Sequence, residues 1–173
     1  MAHLFTVNGI QPRLHDTTRV FPTAVVTGDV VCGEQCTFWF GSVTRGDVNR
    51  IRLGSHVNVQ DGAVLHCTYQ RFALTIGDRV SIGHRACVHG CTLQDDVLIG
   101  MGAIVMDGAL VESGTLIAAG AVVTQNMRCE SGWIYAGVPA KPIKRLSEEA
   151  FADEVTRIAK AYPMYASWYG NEV

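Results

Sequence analysis

Three of the six histidines, His66, His84 and His89, crowd into one 24-residue stretch. Neutral imidazole is the commonest protein ligand for zinc and similar ions. Three of them leave a fourth position open, as in a catalytic metal centre. Residues 81–90, "SIGHRACVHG", hold two of the three, five residues apart. Zinc-binding helices use a spacing of four, which puts both rings on one face. Five puts them on different sides of a helix and on opposite faces of a strand. Neither regular element can deliver both rings to one ion, so the chain must position them another way.

That other way is a six-residue period. From Val20 it steps through Val26, Cys32, Phe38 and Thr44. It resumes at Leu53, Val59 and Leu65, then at Ile76, Ile82 and Val88, then from Leu93 through Ile99 to Val123. Four residues after most of these the side chain is small or β-branched, as at Ala24, Cys36, Ala63, Ala86 and Ala103. Glycine often follows directly, as at Gly33, Gly54, Gly77, Gly83 and Gly100. A short strand and a turn every six residues build one side of a triangular coil. Each coil buries its inward row only by stacking on the next, so residues 20–124 form about six coils of a parallel β-helix. The period is broken between Thr44 and Leu53, between Leu65 and Ile76, and between Val88 and Leu93. The first two breaks add residues and the third drops one. Insertions leave a solenoid as loops, often on the functional face.

The coils place the histidines. Let Leu53 and Ile76 start face A, Val59 and Ile82 face B, and Leu65 and Val88 face C. His66 and His89 each follow an inward face-C residue, so they point outward on neighbouring strands about 4.8 Å apart. That spacing suits one shared ion. His84 stands two places after Ile82 and belongs to face B, around a corner. A second subunit's His84 can reach the pair if face C packs beside the neighbour's B corner, and a head-to-tail ring of three closes on a triangular prism. The expected assembly is a homotrimer with three intersubunit metal sites.

The same rows place other candidates. Arg45 shares the row of His66, and Asp61 shares the row of His84. An Arg45–Asp61 ion pair across the subunit boundary follows. Gln60, beside Asp61, is expected to approach the water at the metal. Asp47 is a turn residue or a site residue, and Tyr69 or Tyr135 could line the pocket. His3, His15 and His56 read as ordinary surface residues.

With 173 residues the chain has room for one domain with a real core. Only 17% of residues are charged, so partner subunits are expected to cover part of the surface. The net charge is −2 and no Lys/Arg cluster occurs, which argues against nucleic acid and anionic membranes. No signal-peptide pattern occurs at the N-terminus and the longest apolar run is too short to span a bilayer, so a cytoplasmic location is expected. The six cysteines form no C-x-x-C pair and read as small buried hydrophobes.

Residues 1–19 read as an N-terminal segment, 20–124 as the β-helix with the metal site, 125–146 as a final coil and connector, and 147–173 as a helix and tail. "AGVPAKPIKRL" carries two prolines and reads as extended. Ser147 is the expected N-cap, with Glu148 and Glu149 in the first turn. Phe151, Val155, Ile158, Ala159 and Tyr162 recur at helical spacing, and Pro163 is expected to kink or end that helix.

The segments "RGDVNRIRLGSHVNVQDGAVLH", "TIGDRVSIGHRACVHGCTL", "VLIGMGAIVMDGA" and "YAGVPAK" give the chain a resemblance to the γ-class carbonic anhydrase family of hexapeptide-repeat proteins. It runs from about Val7 to the C-terminal helix. It implies an all-β solenoid, a left-handed parallel β-helix with a C-terminal α-helix, assembled as a homotrimer with zinc, or iron or cobalt, at the interfaces. The family's metal histidines match His66, His84 and His89. Its active-site and trimer residues match Arg45, Asp47, Gln60 and Asp61. The activity implied is reversible hydration of CO2 to bicarbonate by metal-bound hydroxide. The resemblance fails at the glutamates credited in that family with shuttling protons. The position after "RGD" is Val48, and the loop "CTYQRFA" has no acid. Slow turnover is therefore expected. Other readings of the same repeat are a hexapeptide acyltransferase, a metal-dependent thioesterase or other hydrolase, and a metal-binding assembly protein without useful catalysis.

Overall fold

Inward residues of the six-residue series stack on one another from coil to coil in the computed structural model, which describes residues 3–170. Face B runs Val20, Phe38, Val59, Ile82, Ile99, Ile117 and Tyr135. Face C runs Val26, Thr44, Leu65, Val88, Val105 and Val123. Face A runs Cys32, Leu53, Ile76, Leu93, Val111 and Cys129. All of these pairings are parallel. The fold is a left-handed parallel β-helix of about seven turns with one C-terminal helix. The series continues beyond residue 124 to Cys129 and Tyr135, which adds the last coil.

Val25–Cys32 and Val43–Leu53 run on for 8 and 11 residues, the second straight through the break after Thr44, but nearly every other strand is short because it must turn a corner within six residues. Its hydrogen bonds therefore run to neighbouring coils, as from Gly83 N–H to the Ile99 carbonyl at 2.8 Å. The small second inward residues fill the narrow corners, and Ala63, Ala86, Ala103 and Ala121 are all fully buried. The recurrent glycines also have a physical cause. A Cβ on Gly54 would lie 2.2 Å from Asp78 Oδ1, and one on Gly77 would lie 2.3 Å from Asp95 Oδ1. Those carboxylates accept hydrogen bonds from the Ser55 and Asp78 backbone N–H groups, at 2.7 and 2.9 Å. A side chain at either glycine would push the capping carboxylate away.

The proline-containing connector is not a plain linker. Lys141–Arg145 forms a strand antiparallel to Trp133–Ala136 and closes the end of the face-B sheet. Ser147 Oγ then accepts the Ala150 N–H at 3.2 Å and caps the helix. The helix runs as an α-turn Glu148–Ala150, a π-helical stretch Phe151–Thr156 and an α-helix Arg157–Ser167. Pro163 lies inside the last segment and does not end it. Val155, Ala159 and Ala166 are buried. Phe21 and Trp39 stack at 4.3 Å, and Tyr162 meets Trp39 edge-on at 5.2 Å, which fastens the helix to the solenoid. Among the described residues no helix is long and apolar enough to cross a membrane. All six cysteines are free thiols, five of them buried and Cys87 partly so.

Candidate metal centre

Face C brings His66 and His89 into direct register on neighbouring strands. His66 Nδ1 and His89 Nε2 approach to 3.0 Å, with the rings tilted edge to face. The far nitrogen of each ring meets a carboxylate. His66 Nε2 lies 3.1 Å from Asp47 Oδ1, and His89 Nδ1 lies 2.7 Å from Asp107 Oδ1. The carboxylates are themselves held. Arg45 Nη1 donates to Asp47 Oδ2 at 2.5 Å, and Thr68 Oγ1 donates to Asp107 Oδ2 at 2.8 Å.

Burial pushes the Asp47 carboxyl upward, but hydrogen bonds from Arg45 and His66 outweigh it and hold the group below the ordinary carboxylate range. His66 is depressed, chiefly by burial, with the Arg45 charge adding and the Asp47 hydrogen bond opposing. A depressed imidazole is neutral at pH 7, the state that can ligate a metal. If both far nitrogens donate to their carboxylates, the two near nitrogens are left as lone pairs facing each other. Such a pair repels unless a cation or a proton lies between. The donor set therefore fits a zinc-type ion, with the outer carboxylates in the supporting role usual for metal-bound imidazoles.

His84 stands elsewhere. It lies around the corner on face B, with its Nδ1 3.0 Å from Asp61 Oδ2, and both side chains are nearly half exposed. Among the described residues no three His, Cys, Asp or Glu side chains of one chain gather where they could hold an ion. Gln60 is buried, and its Nε2 donates to Asn58 Oδ1 at 2.9 Å. Gln60 and His84 line a cavity of about 360 Å³ between face B and the C-terminal helix, opposite Tyr162 and Tyr165.

Arg45 pairs with Asp47 and Asp61 with His84 inside the chain. An Arg45–Asp61 contact would have to be made between subunits. Tyr135 is not brought to the site. It occupies an inward face-B position three rungs beyond Ile82, and its hydroxyl accepts the Glu130 N–H at 2.8 Å. Tyr69 is exposed in the loop after His66. His3, His15 and His56 are exposed and away from the pair.

Asp107 and Thr68 escaped the reading of the sequence. Asp107 was within reach of it, because Val105 stacks on Val88 and carries the residues after it past His89. Thr68 was not, because it lies in an insertion outside the period.

No family model matches the chain. Gamma carbonic anhydrase 2, mitochondrial, of Arabidopsis thaliana is 38% identical over 174 residues, covering 98% of this chain and 62% of that protein. The chain thus spans less than two thirds of the plant protein's length. A carbonic anhydrase of Geobacillus kaustophilus is 35% identical over 166 residues, covering 96% of this chain and 90% of that protein. Among solved structures, a hexapeptide transferase family protein from Anaplasma phagocytophilum superposes with a TM-score of 0.91 at 35% identity. It covers 96% of this chain and 98% of its own.

Proposed function

The chain belongs to the γ-class carbonic anhydrase family of hexapeptide-repeat proteins, and from that premise we propose that it is a zinc-dependent hydratase interconverting CO2 and bicarbonate as a cytoplasmic homotrimer. The observation that carries the reading is the convergence of His66 Nδ1 and His89 Nε2, each ring backed by its own carboxylate. His66, His89 and His84 of the partner subunit would hold the ion, with iron or cobalt as alternatives to zinc. When bound, such an ion supplies Lewis acidity that brings the ionisation of water into the neutral range.

The chain's own residues orient and exclude. Asp47 and Asp107 keep the rings turned so that their lone pairs face the site. Arg45 holds Asp47, and in the trimer would bridge Asp47 to Asp61 of the partner subunit. Gln60, fixed by Asn58, offers an amide to orient the reacting water or CO2. The trimer is supported by exposed apolar side chains on face C beside the histidines, with Val64, Ile104 and Met106 each about 40% exposed. A monomer gains nothing from exposing them, and a covered interface removes them from water.

Turnover is expected to be slow. Val48 packs against the core, and residues 67–73 carry no acid to take the proton. The proton would leave through buffer. The deciding experiment is metal content, native mass and stopped-flow CO2 hydration on one anaerobically purified sample. Hydration above background with one metal per chain supports the reading, and a metal-replete trimer without hydration sinks it.

A second reading is acyl transfer, favoured by the likeness to the hexapeptide transferase family protein. Coenzyme A would then raise the melting midpoint while zinc would not. The absent acids favour a third, a metal-binding assembly protein, which would bind the ion without turning over CO2.

A further inference from the structure

The acid-free loop after His66 has a task in this chain. Thr68 and Phe72 bridge each other through two backbone hydrogen bonds of 3.1 and 3.3 Å, which close the loop on itself. Asn49, from the other long insertion, donates its Nδ2–H to the Thr68 carbonyl at 3.2 Å. So fixed, Thr68 turns its hydroxyl to Asp107 Oδ2 at 2.8 Å, and Asp107 Oδ1 meets His89 Nδ1 at 2.7 Å. The two insertions that break the repeat thus converge on one carboxylate.

The backbone makes room for that carboxylate. Gly90, directly after His89, has φ +50°, and a Cβ there would lie 2.1 Å from Asp107 Oδ1. The same Cβ would lie 2.8 Å from Phe72 Cβ, so the loop also walls the pocket that holds the carboxylate. The Asp107 carboxylate forms no ion pair with Arg or Lys, and among the described residues its side-chain hydrogen bonds go to Thr68 and His89 alone.

We propose that Asp107, aimed by Thr68, is the positioning residue for His89: it keeps the imidazole proton on Nδ1 and turns the Nε2 lone pair toward His66. The inference rests on the metal reading for its purpose but not for its geometry. A carboxylate that receives one hydrogen bond from a fixed hydroxyl has its second oxygen directed, and a ring that donates to that oxygen has one tautomer. Arg45 and Asp47 do the same for His66 from the opposite side.

The test uses the full-length chain, first stripped of metal. Long-range proton–nitrogen NMR, at a pH where the imidazoles are neutral, reads the His89 tautomer in wild type, Asp107→Asn, Asp107→Ala and Thr68→Val. The proposal expects Nδ1–H in wild type and in Asp107→Asn, whose Oδ1 still accepts. It expects a mixed tautomer in Asp107→Ala and a partial change in Thr68→Val. Cobalt(II) titration against a competing chelator should then show about 10- to 100-fold weaker binding in Asp107→Ala and less loss in Asp107→Asn. An unchanged tautomer, or unchanged cobalt affinity, in a folded Asp107→Ala overturns the proposal. If that variant fails to fold, Thr68→Val decides by the same two readings. If wild type binds no cobalt, the metal reading fails while the tautomer measurement still judges Asp107.

Discussion

His66 Nδ1 and His89 Nε2 face each other at 3.0 Å on adjacent strands, while the far nitrogen of each ring is engaged by a carboxylate. The near nitrogens cannot both remain bare lone pairs at that distance without cost. The β-helix register holds them there, because Leu65 and Val88 beneath them are locked in the core. On the proposed reading, the fold itself poises this pair for a cation. The pair is also short of a donor, since His84 sits around the corner beside Asp61.

That shortage gives the first prediction. His66→Ala and His84→Ala chains should each assemble without metal when alone. Mixed by unfolding and refolding together, they should regain about a quarter of the sites. An intact site then needs the histidine pair from one chain and His84 from its neighbour, each arising with even odds. Metal content of the remixed sample checks this. Zero recovery with confirmed heterotrimers would place all ligands in one chain, and metal retained by the His84→Ala chain alone would remove His84 from the set.

How far the sequence led depended on whether the period reached the residue in question. The rows from Val20 to Val123 stack as the six-residue step requires, so His66 beside His89 and Asp61 beside His84 followed from counting. Tyr135 failed by the same rule, because two further steps from Val123 put it inward on face B, where its ring belongs to the core. Thr68 lies in a loop and Asn49 in the long strand Val43–Leu53, both where extra residues break the period and no count fixes direction, so only the folded chain shows them meeting. Pro163 is expected from the sequence to kink or end its helix, yet it lies inside Arg157–Ser167. Helix packing through Val155, Ala159 and Ala166, with the aromatic clamp at Trp39, outweighs the lost N–H.

Gly90→Ala should damage the centre without touching a ligand. Its φ of +50° disfavours any Cβ, and the added atom would meet Asp107 Oδ1 at 2.1 Å. The backbone penalty alone is of order 1 kcal/mol. The variant should melt lower and bind cobalt(II) more weakly, in the direction of Asp107→Ala. Wild-type affinity in this variant would show that the carboxylate has room to move.

Tyr162 should make helix docking sensitive to alkali. Burial, with the Asp61 charge adding, pushes its phenol up to about 12 from 10.0. Below pH 10 the docked and undocked states both keep the proton and stability is complete. As the pH rises from 10 through about 12, only the undocked helix gives the proton up, so docking weakens. Tryptophan fluorescence should report Trp39 losing its contacts across that window. Tyr162→Phe should remove this part of the pH dependence. A variant with the wild-type profile would assign the alkaline loss to another group.

Leu93→Ala probes the solenoid away from the site. Leu93 is 1% exposed and stacks between Ile76 and Val111 on face A. Its coil neighbours cannot collapse into the space left behind, because each is fixed by parallel hydrogen bonds to the next rung. The loss should therefore lie at about 2–5 kcal/mol, as for other rigid cores. Denaturant unfolding followed by circular dichroism measures it. Each coil has only its two neighbours for support, so the damage should spread along the stack and the transition should broaden rather than only shift. A loss under about 1 kcal/mol with an unchanged slope would mean that the coils relax around the gap more freely than the face-A pairing allows.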